Sequence, residues 1–471
     1  MVFAREGSPD DATSLRHVKH TPYWLDDERR PDALPSLVGR NTADLVVVGG
    51  GFTGLWTALR AVERDPGRRV TILEGHTVAH GATGRNGGFC VASLTHGLAN
   101  GMARWPGDMP ELVRLGRDNL DGIEQTIARL GIDCDFVRSG ELDVAVEPYQ
   151  VEGLREVAQL AASVGDNLEF LDRDQVNLRV RSPLFLAGVF DPHGAAIVNP
   201  ARLAWGLRQA CLDAGVRIFE NSPVRRLEDD GEMLVHTGAG SVRARHVALA
   251  TNAFPPLLRR LRSYVVPVYD YVLVSEPLTS EQRSAIGWYE REGIGDAGNQ
   301  FHYTRVTEDG RILWGGYDAV YHWNNGFGPH LDNDDDSYRR LATHFFQTFP
   351  DLRGLSFTHA WGGAIDTCSR FTTFWGRAFG GRTVYAAGFT GLGVGSSRFA
   401  ADVMLDLLDG TDTERTQLEM VRTKPLPFPP EPIRSAGIAI TRRSLDHADR
   451  HEGRRNVWLR TLDRLGLGFD S

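Results

Sequence analysis

The chain is poor in cysteine and lysine and has no long apolar run, and each shortage excludes a class of protein. Its four cysteines are scattered, with no Cys-x-x-Cys pair and no pair of histidines nearby, so we predict neither a disulfide framework nor a zinc or other metal site. No early apolar segment and no span of membrane length is present, which argues against export and membrane insertion. We therefore expect a cytoplasmic protein without a membrane partner.

Charge and length set two further limits. The formal net charge of −9 argues against nucleic acid as a partner, because proteins that bind phosphate backbones carry an excess of basic residues. Of the 52 basic side chains only two are lysines, Lys19 and Lys424. With 471 residues the chain is too long for one small core, so we expect two or more domains.

Residues 45–54, Leu-Val-Val-Val-Gly-Gly-Gly-Phe-Thr-Gly, read as a buried strand that leads into a Gly-x-Gly-x-x-Gly turn and a helix. Gly49 allows the tight turn, Gly51 lets the backbone approach a pyrophosphate, and Gly54 lets helix and strand pack closely. The free N–H groups at the helix start favour an anion. A second strand-like run ends on Glu74, where a carboxylate can bond a ribose 2′-hydroxyl. The pattern predicts a dinucleotide site.

Two more glycine-rich segments follow the fingerprint. Residues 81–88 read Gly-Ala-Thr-Gly-Arg-Asn-Gly-Gly, and residues 385–394 read Tyr-Ala-Ala-Gly-Phe-Thr-Gly-Leu-Gly-Val. A nicotinamide dehydrogenase usually continues with another strand–helix unit after the first one, whereas small side chains and exposed N–H groups suit a cofactor that crosses a loop. The helix after the last segment could stabilise negative charge on the N1–C2=O edge of a reduced flavin.

In this order the three segments resemble the D-amino-acid-oxidase-like family of FAD-dependent amine oxidoreductases, which includes glycine oxidase and monomeric sarcosine oxidase. Within it, the motifs most resemble the γ-glutamylputrescine-oxidase-like enzymes. The resemblance spans about residues 45–400. It rests on the fingerprint with Glu74 and on Gly-Arg-Asn-Gly-Gly at 84–88, Val-Val-Pro-Val-Tyr-Asp-Tyr-Val-Leu at 265–273, Gly-Arg-Ile-Leu-Trp-Gly-Gly at 310–316, Trp-Gly-Gly at 361–363 and Gly-Phe-Thr-Gly-Leu-Gly-Val at 388–394.

The resemblance implies an α/β fold, a Rossmann-like FAD-binding domain with an inserted antiparallel-sheet substrate domain that roofs the flavin ring. The corresponding division gives an N-terminal arm at 1–41, a discontinuous FAD-binding domain at 42–130, 191–262 and 359–420, a substrate domain at 131–190 and 263–358, and a C-terminal tail with a helix at 421–471.

The implied cofactor is FAD, bound without a covalent link. Where relatives attach the flavin through a histidine or a cysteine, this chain has Arg85 and Gly363, and Cys368 lies nearby but out of register. Val224 would hold the adenine by its backbone, and Thr251 would line the pyrophosphate side. The expected cofactor-binding residues are Gly49, Gly51, Phe52, Thr53, Gly54, Glu74, Gly75, Ala82, Thr83, Arg85, Asn86, Gly87, Gly88, Val224, Thr251, Gly388, Thr390, Gly391, Leu392, Gly393 and Val394.

The family's reaction is hydride transfer from the C–H beside a neutral amine to flavin N5, followed by hydrolysis of the imine to an aldehyde or ketone and an amine or ammonia. A desolvated aromatic pocket would favour the neutral amine, because burial disfavours the cation. Each candidate for that pocket could equally be an ordinary packed side chain. The candidate catalytic residues are Tyr269, Tyr271, His302, Arg305 and Trp361, with Tyr303 beside them.

Departures from the family pattern limit the class of substrate and the choice of electron acceptor that we expect. Glycine-oxidase-like enzymes clamp a substrate carboxylate with two arginines, and the matching positions here are Ile365 and Gly391. This favours a primary or secondary amine over an α-amino acid, unless Arg305 or Arg370 replaces the clamp. Sarcosine oxidases place a lysine near N5 to activate oxygen, and no lysine lies in the equivalent region at 312–316. The electron acceptor is therefore O₂, activated by a histidine or arginine, or another molecule.

Three alternatives stay open. The first is an amino-acid oxidase or dehydrogenase of the same family. The second is a flavin-dependent aromatic hydroxylase, although those enzymes carry Gly-Asp where this chain has Gly388-Phe389. The third is an RNA-modifying flavoprotein, because residues 442–464 are basic and roughly amphipathic; four interleaved acids favour a helix packed on the catalytic body instead. The oligomeric state is not predicted.

Overall fold

The structure is a computed structural model that describes residue 3 and residues 9–468. The parts of the predicted N-terminal arm and C-terminal tail at 1–2, 4–8 and 469–471 lie outside the described residues. The strands, in chain order, are β1 (Gly39–Val48), β2 (Val70–Leu73), β3 (Phe89–Val91), β4 (Glu141–Ala145), β5 (Glu169–Leu171), β6 (Ala187–Asp191), β7 (Ala195–Ile197), β8 (Arg217–Phe219), β9 (Arg226–Asp229), β10 (Met233–His236), β11 (Gly240–Leu249), β12 (Val266–Ser275), β13 (Gly293–Asp296), β14 (His302–Val306), β15 (Ile312–Gly316), β16 (Val320–Tyr321), β17 (Phe357–Thr367), β18 (Phe374–Ala378) and β19 (Thr383–Ala387).

The α-helices of the described residues cover both sheets and form the C-terminal segment. In chain order they are α1 (Pro9–Thr13), α2 (Phe52–Arg64), α3 (Leu98–Arg104), α4 (Met109–Leu130), α5 (Gln150–Ser163), α6 (Arg173–Arg179), α7 (Pro200–Asp213), α8 (Ser280–Ile286), α9 (Asp335–Thr348), α10 (Gly393–Asp409), α11 (Glu414–Gln417), α12 (Glu419–Arg422), α13 (Ile433–Arg450) and α14 (Val457–Arg464). None of the helices within 9–468 is both long enough and apolar enough to cross a bilayer.

The first sheet is built around the fingerprint strand. Its order is β18-β19-β11-β1-β2-β8, with parallel pairing from β19 to β8 and with the β9–β10 hairpin on β11. The apolar end of β1 is buried on both faces, as expected for a central parallel strand. Helices α2, α7 and α10 pack against one face in a single apolar core. The strand–turn–helix order therefore produces the predicted Rossmann-like layer.

The second sheet is almost entirely antiparallel. Its order is β16-β12-β15-β14-β13-β4-β6-β5, with β17 also paired to β12, and only β4 and β13 run parallel. Helix α9 packs on its outer face, where Tyr338, Leu341 and Phe345 belong to a second apolar core. The two sheets together confirm the predicted fold class.

Pairing places one strand differently from our domain division. β17 bonds along the whole length of β12, from Thr367 opposite Val266 to Phe357 opposite Ser275. It therefore belongs to the antiparallel sheet, although our division assigned residues from 359 onward to the FAD-binding part. We propose that this boundary falls after Thr367.

The N-terminal arm crosses both sheets. The Lys19 N–H donates to the Thr358 carbonyl oxygen at 2.8 Å, which ties the arm to β17. Further along, the Leu34 N–H donates to a Glu220 carboxylate oxygen at 2.6 Å beside the first sheet. The arm thus fastens the two sheets to each other.

Helices α2 and α10 are joined by charge as well as by apolar packing. The Arg64 guanidinium donates to Asp402 and to Asp406 at 2.8 Å each, and Arg60 donates to Asp402 at 3.2 Å. The side chains of both aspartates are almost fully buried, at 6% and 3% exposure, whereas the arginines keep some contact with solvent. Removing Asp402 would take one of two counter-charges from each partly buried guanidinium group and leave Arg60 with Glu63 and Arg64 with Asp406.

We expect Asp402→Ala to lower the free energy of unfolding by about 2–3 kcal/mol, somewhat less than for a fully buried pair because both arginines keep a second carboxylate partner and some contact with solvent. Urea titration followed by circular dichroism measures the shift. The matched control is Asp118→Ala, which removes an exposed partner of Arg114 and should change stability by less than about 0.5 kcal/mol. Equal losses in the two variants would contradict a stabilising role for the α2–α10 charges.

Candidate active site

A single large cavity of about 1520 Å³ lies between the two sheets. The fingerprint turn, the 81–88 loop and the final glycine turn all reach its wall. The inner face of the second sheet closes the opposite side, and residues of the C-terminal segment from Leu426 to Leu467 line one end. The chain therefore brings its three glycine-rich segments to one space.

The fingerprint glycines have steric reasons to be glycine. Gly49 has φ +110°, and a Cβ there would collide with the Ala250 carbonyl oxygen of the neighbouring strand. A Cβ on Gly54 would collide with the Gly49 carbonyl oxygen, which is the close helix–strand packing expected there. A Cβ on Gly51 would stand 2.8 Å from the Thr83 hydroxyl, so this residue keeps the helix start open to the cavity.

Glu74 sits at the end of β2 and lines the cavity. Its carboxylate accepts from the Gly50 N–H at 2.5 Å and from the His76 N–H at 2.8 Å. Burial raises its pKa, and these backbone bonds oppose the rise. The carboxylate is thus held rigidly beside the fingerprint turn, where a ribose hydroxyl could donate to it.

The 81–88 loop is fixed by side chains that donate to its carbonyl oxygens from three directions. Trp24 of the arm donates to Asn86 O at 2.8 Å, Trp361 of β17 donates to Arg85 O at 2.8 Å, and Arg305 of β14 donates to Gly88 O at 3.1 Å. Inside the loop, the Gly88 N–H donates to the Asn86 side-chain oxygen at 2.8 Å. The loop is therefore positioned by both sheets at once.

The final glycine turn is held by a buried carboxyl group. Gly388 has φ +76°, and its N–H donates to Asp366 Oδ2 at 2.7 Å. Burial raises the pKa of Asp366 to about 7, against the opposing effect of its backbone donors. His96 also lines the cavity and hydrogen-bonds the backbone of Thr390, and burial lowers its pKa. Both groups lie at the start of α10.

Most of the residues expected to bind the cofactor face the cavity. Three of them do not line the cavity. Gly54 allows close helix–strand packing, Gly388 allows the turn, and Gly88 lies under the loop against Val198 and Arg305. Those that line it are Gly49, Gly51, Phe52, Thr53, Glu74, Gly75, Ala82, Thr83, Arg85, Asn86, Gly87, Val224, Thr251, Thr390, Gly391, Leu392, Gly393 and Val394.

Of the five candidate catalytic residues, only Tyr269 lines the cavity. Tyr271 points to the outer face of the sheet, packs edge-on against Tyr338 and donates to Leu331 O at 3.0 Å. His302 is buried between Asp296 and His344, with its ring nitrogens 2.6 and 2.9 Å from them. These two side chains lie behind the cavity wall.

Arg305 and Trp361 also lie behind the wall, as supports of the 81–88 loop. Arg305 is fully buried and donates to Val198 O at 2.7 Å as well as to Gly88 O, and burial lowers its pKa to about 9. Arg370 is likewise committed to backbone oxygens, among them Thr423 O at 3.1 Å. Neither arginine lines the cavity, so neither stands where a substrate carboxylate would need it.

The cavity face of β12 carries Asp270 where we expected aromatic side chains. Tyr303, the sixth pocket candidate, does line the cavity and donates to Asp270 Oδ2 at 2.6 Å. Burial raises the pKa of Asp270 to about 6 and that of Tyr303 well above 10. The Tyr303 ring packs so closely on Gly87 that a Cβ there would stand 2.8 Å from it.

Ile365 and Gly391, at the two clamp positions, both line the cavity. Gly391 has φ +92° with open space around it, and Ile365 offers an apolar surface. Among the described residues that line the cavity there is no lysine: Lys19 pairs with Asp26 on the arm, and Lys424 is exposed.

Several cavity residues were missed from the sequence. Asp366 and His96 are isolated in the chain and reach the cavity only through tertiary folding. The lining by the C-terminal segment was missed too, because its composition reads as an ordinary surface helix. Asp449 of α13 anchors it by accepting from the Asn299 side chain at 2.5 Å.

The residues present fit a dinucleotide flavin. Three glycine turns leave backbone space that a Cβ would fill, an enclosed carboxylate stands at the ribose position, and the long cavity extends from the fingerprint to the second sheet. A metal does not fit as well, because no group of three or more acidic, histidine or cysteine side chains within the described residues is arranged to hold one.

Comparison with known proteins agrees with this geometry. Residues 44–407 match the family model described as "DAO: FAD dependent oxidoreductase". The chain is 32% identical to γ-glutamylputrescine oxidoreductase of Escherichia coli over 386 residues, covering 79% of this chain and 85% of that protein. It is 26% identical to a probable oxidoreductase, OrdL, of Haemophilus influenzae over 407 residues, covering 84% and 89%. Glycine oxidase from Geobacillus kaustophilus shares the fold, with a TM-score of 0.66 at 18% identity over 81% of this chain and 99% of that one.

We expect Gly51→Val to yield protein that is folded but holds little FAD, because the new side chain would meet Thr83 and cover the open helix start. The ratio of flavin to protein absorbance after purification measures the loss. The control is Gly153→Val on the exposed face of α5, where no atom lies within 4 Å of the added Cβ. Full flavin content in Gly51→Val would mean that the cofactor does not approach this turn.

Proposed function

The chain belongs to the DAO family of FAD-dependent oxidoreductases, and from this premise we propose that it oxidises a primary or secondary amine that carries no α-carboxylate. The product is an imine, which water hydrolyses to an aldehyde or ketone with release of an amine or ammonia. O₂ or another acceptor then takes up the electrons. Bound FAD supplies the hydride acceptor, N5 of its ring.

The chain's own residues would hold and orient the cofactor. The start of α2 and the fingerprint turn would receive the pyrophosphate, and Glu74 the ribose. The 81–88 loop, supported by Trp24, Trp361 and Arg305, would fix the ring against the second sheet. The start of α10 would face negative charge on the ring.

The observation that carries the substrate class is the apolar character of the clamp positions. Ile365 and Gly391 face the cavity, and the two arginines that could have replaced a clamp are bonded elsewhere. An unpaired carboxylate in such a place would lose its water without gaining a partner, at a cost of several kcal/mol. A neutral amine meets no such penalty.

The wall of the cavity also favours the reactive form of the amine. Val268, Val272 and Ile365 form an apolar surface on the inner face of the second sheet. Desolvation there lowers the pKa of a bound amine, since the ammonium form loses more hydration than the neutral form. The enzyme thereby selects the amine with a free lone pair at neutral pH.

We expect the purified protein to be yellow and to release all its flavin on acid precipitation. Arg85 and Gly363 provide no nucleophile for a covalent link, and the four cysteines are buried. Absorbance of the supernatant and of the redissolved pellet decides the point. Flavin in the pellet would show a covalent attachment that these positions do not explain.

We expect amines to reduce the flavin with at least 10-fold greater efficiency than the matching α-amino acids, since the missing clamp costs more than about 1.4 kcal/mol. Anaerobic stopped-flow reduction with pairs such as butylamine and norvaline gives both rates. The lower efficiency of the amino acid should come mainly from weaker apparent binding to the enzyme.

Equal or faster reduction by the amino acids would contradict the proposed substrate class and favour the amino-acid oxidase alternative. Variants Ile365→Arg and Ile365→Leu provide a matched pair for the same measurement. The arginine variant should raise the efficiency of flavin reduction by the amino acid relative to the amine. The leucine variant should leave the ratio of the two efficiencies unchanged.

A further inference from the structure

One end of the cavity is strongly acidic, and this feature is not used by the chemistry described above. Glu141 and Asp143 of β4 lie two residues apart and line the cavity together, with Asp191 directly opposite Glu141 on β6. Asp296 of the neighbouring β13 lines it as well. The inner face of the sheet thus changes from largely apolar near β12, where the single carboxyl group of Asp270 accepts from Tyr303, to strongly acidic at β4.

Two of these carboxylates lack any partner. Asp191 lies 3.5 Å from the Arg117 guanidinium, and Asp296 bonds His302. The carboxylate groups of Glu141 and Asp143, by contrast, have no hydrogen bond or ion pair with any of the residues that the structure describes. Glu141 is half-buried and Asp143 is exposed, and both line the cavity.

Leaving such a pair without a counter-ion is costly. Desolvation by the surrounding protein raises the pKa of Glu141 to about 8 and that of Asp143 to about 6. The charges of Asp143 and Asp191 add to the rise for Glu141, and those of Asp191 and Asp296 add to the rise for Asp143. Carboxylates that stand side by side in one cavity repel one another, and their repulsion is relieved by a cation placed between them. The arrangement is suited to an organic ammonium or guanidinium group, because no metal-binding cluster of three ligands is formed among the described residues.

The strand register gives the distance to the reaction centre. Asp143 lies opposite Gly295, and Gly295 lies opposite Tyr303, so the three share one row on the cavity face. Two strand spacings separate Asp143 from Tyr303, about 10 Å. Tyr303 packs on Gly87 of the loop that would hold the flavin ring. Because Gly295 has no side chain, the row between the two ends is open.

We propose that Glu141 and Asp143 form a cation subsite that binds the distal ammonium group of a diamine or polyamine, while its other amine is oxidised near Tyr303. This rests on the proposed amine oxidation and names the substrate class within it. The charged end is stabilised at β4, and the apolar end near Ile365 and Val272 receives the neutral amine. The two ends of the cavity thereby orient the substrate.

The test compares aliphatic diamines with monoamines of equal length, 1,4-diaminobutane with butylamine and 1,6-diaminohexane with hexylamine. Anaerobic stopped-flow reduction gives efficiency, and calorimetric titration into anaerobic enzyme whose bound flavin has first been reduced with dithionite gives affinity without turnover. We expect each diamine to exceed its monoamine about 10- to 100-fold in both, the range for one charge-assisted contact.

Glu141→Gln, Asp143→Asn and the double variant should remove this preference, with little change for the monoamines. Glu169→Gln on the exposed surface of β5 in the same sheet is the control and should behave as the parent. Flavin content and thermal melting of each variant show whether it folds. If the double variant does not fold, the two single variants provide the test.

The outcomes separate the two proposals. Diamines that bind and react no better than monoamines, or a preference that survives in the double variant, would overturn the cation subsite while amine oxidation stands. Diamines that bind through Glu141 and Asp143 without any amine reducing the flavin would overturn the proposed function and leave the subsite.

Discussion

The contact on which the site depends is the three-sided support of the 81–88 loop. Trp24, Trp361 and Arg305 come from the arm and from two strands of the second sheet, and each donates to a carbonyl oxygen of a loop attached to the first sheet. A loop of small residues has little side-chain packing of its own, so these donors set its position. The width of the cavity follows from them, since the loop is one wall and the second sheet is the other.

The first sheet could be predicted well from local sequence, because each of its elements has a recognisable sequence pattern. The apolar run at 45–48, the glycine turn and the helix that follows are set by short-range sterics, and Gly49 and Gly54 are glycine for reasons visible in their neighbours. The antiparallel sheet was predicted from family resemblance, and its last strand, β17, was divided from it by our proposed domain boundary although it pairs with β12. Its pairing with β12 is a contact between residues about ninety positions apart, which no local pattern reveals.

The site was harder to predict because the sequence of a strand does not show which of its two faces points into the cavity. β12 alternates Val268, Asp270 and Val272 with Tyr269 and Tyr271, and we placed the aromatic set in the pocket. The structure turns Asp270 and the valines to the cavity and Tyr271 to the outer core, a difference of one residue in a period of two. We predicted Arg305 and Trp361 in the substrate pocket for a related reason. Large polar side chains near a flavin loop can hydrogen-bond the loop instead of contacting the substrate.

The arm described with the fold has a consequence for how the chain is made. Lys19 bonds to Thr358, so this part of the arm finds its partner only after more than three hundred further residues have been synthesised. The central strand β1 similarly waits for β11, two hundred residues later. Until then its apolar edge stays unpaired and prone to association with other chains. Production of this enzyme should therefore depend strongly on translation rate and on chaperones that shield nascent strands.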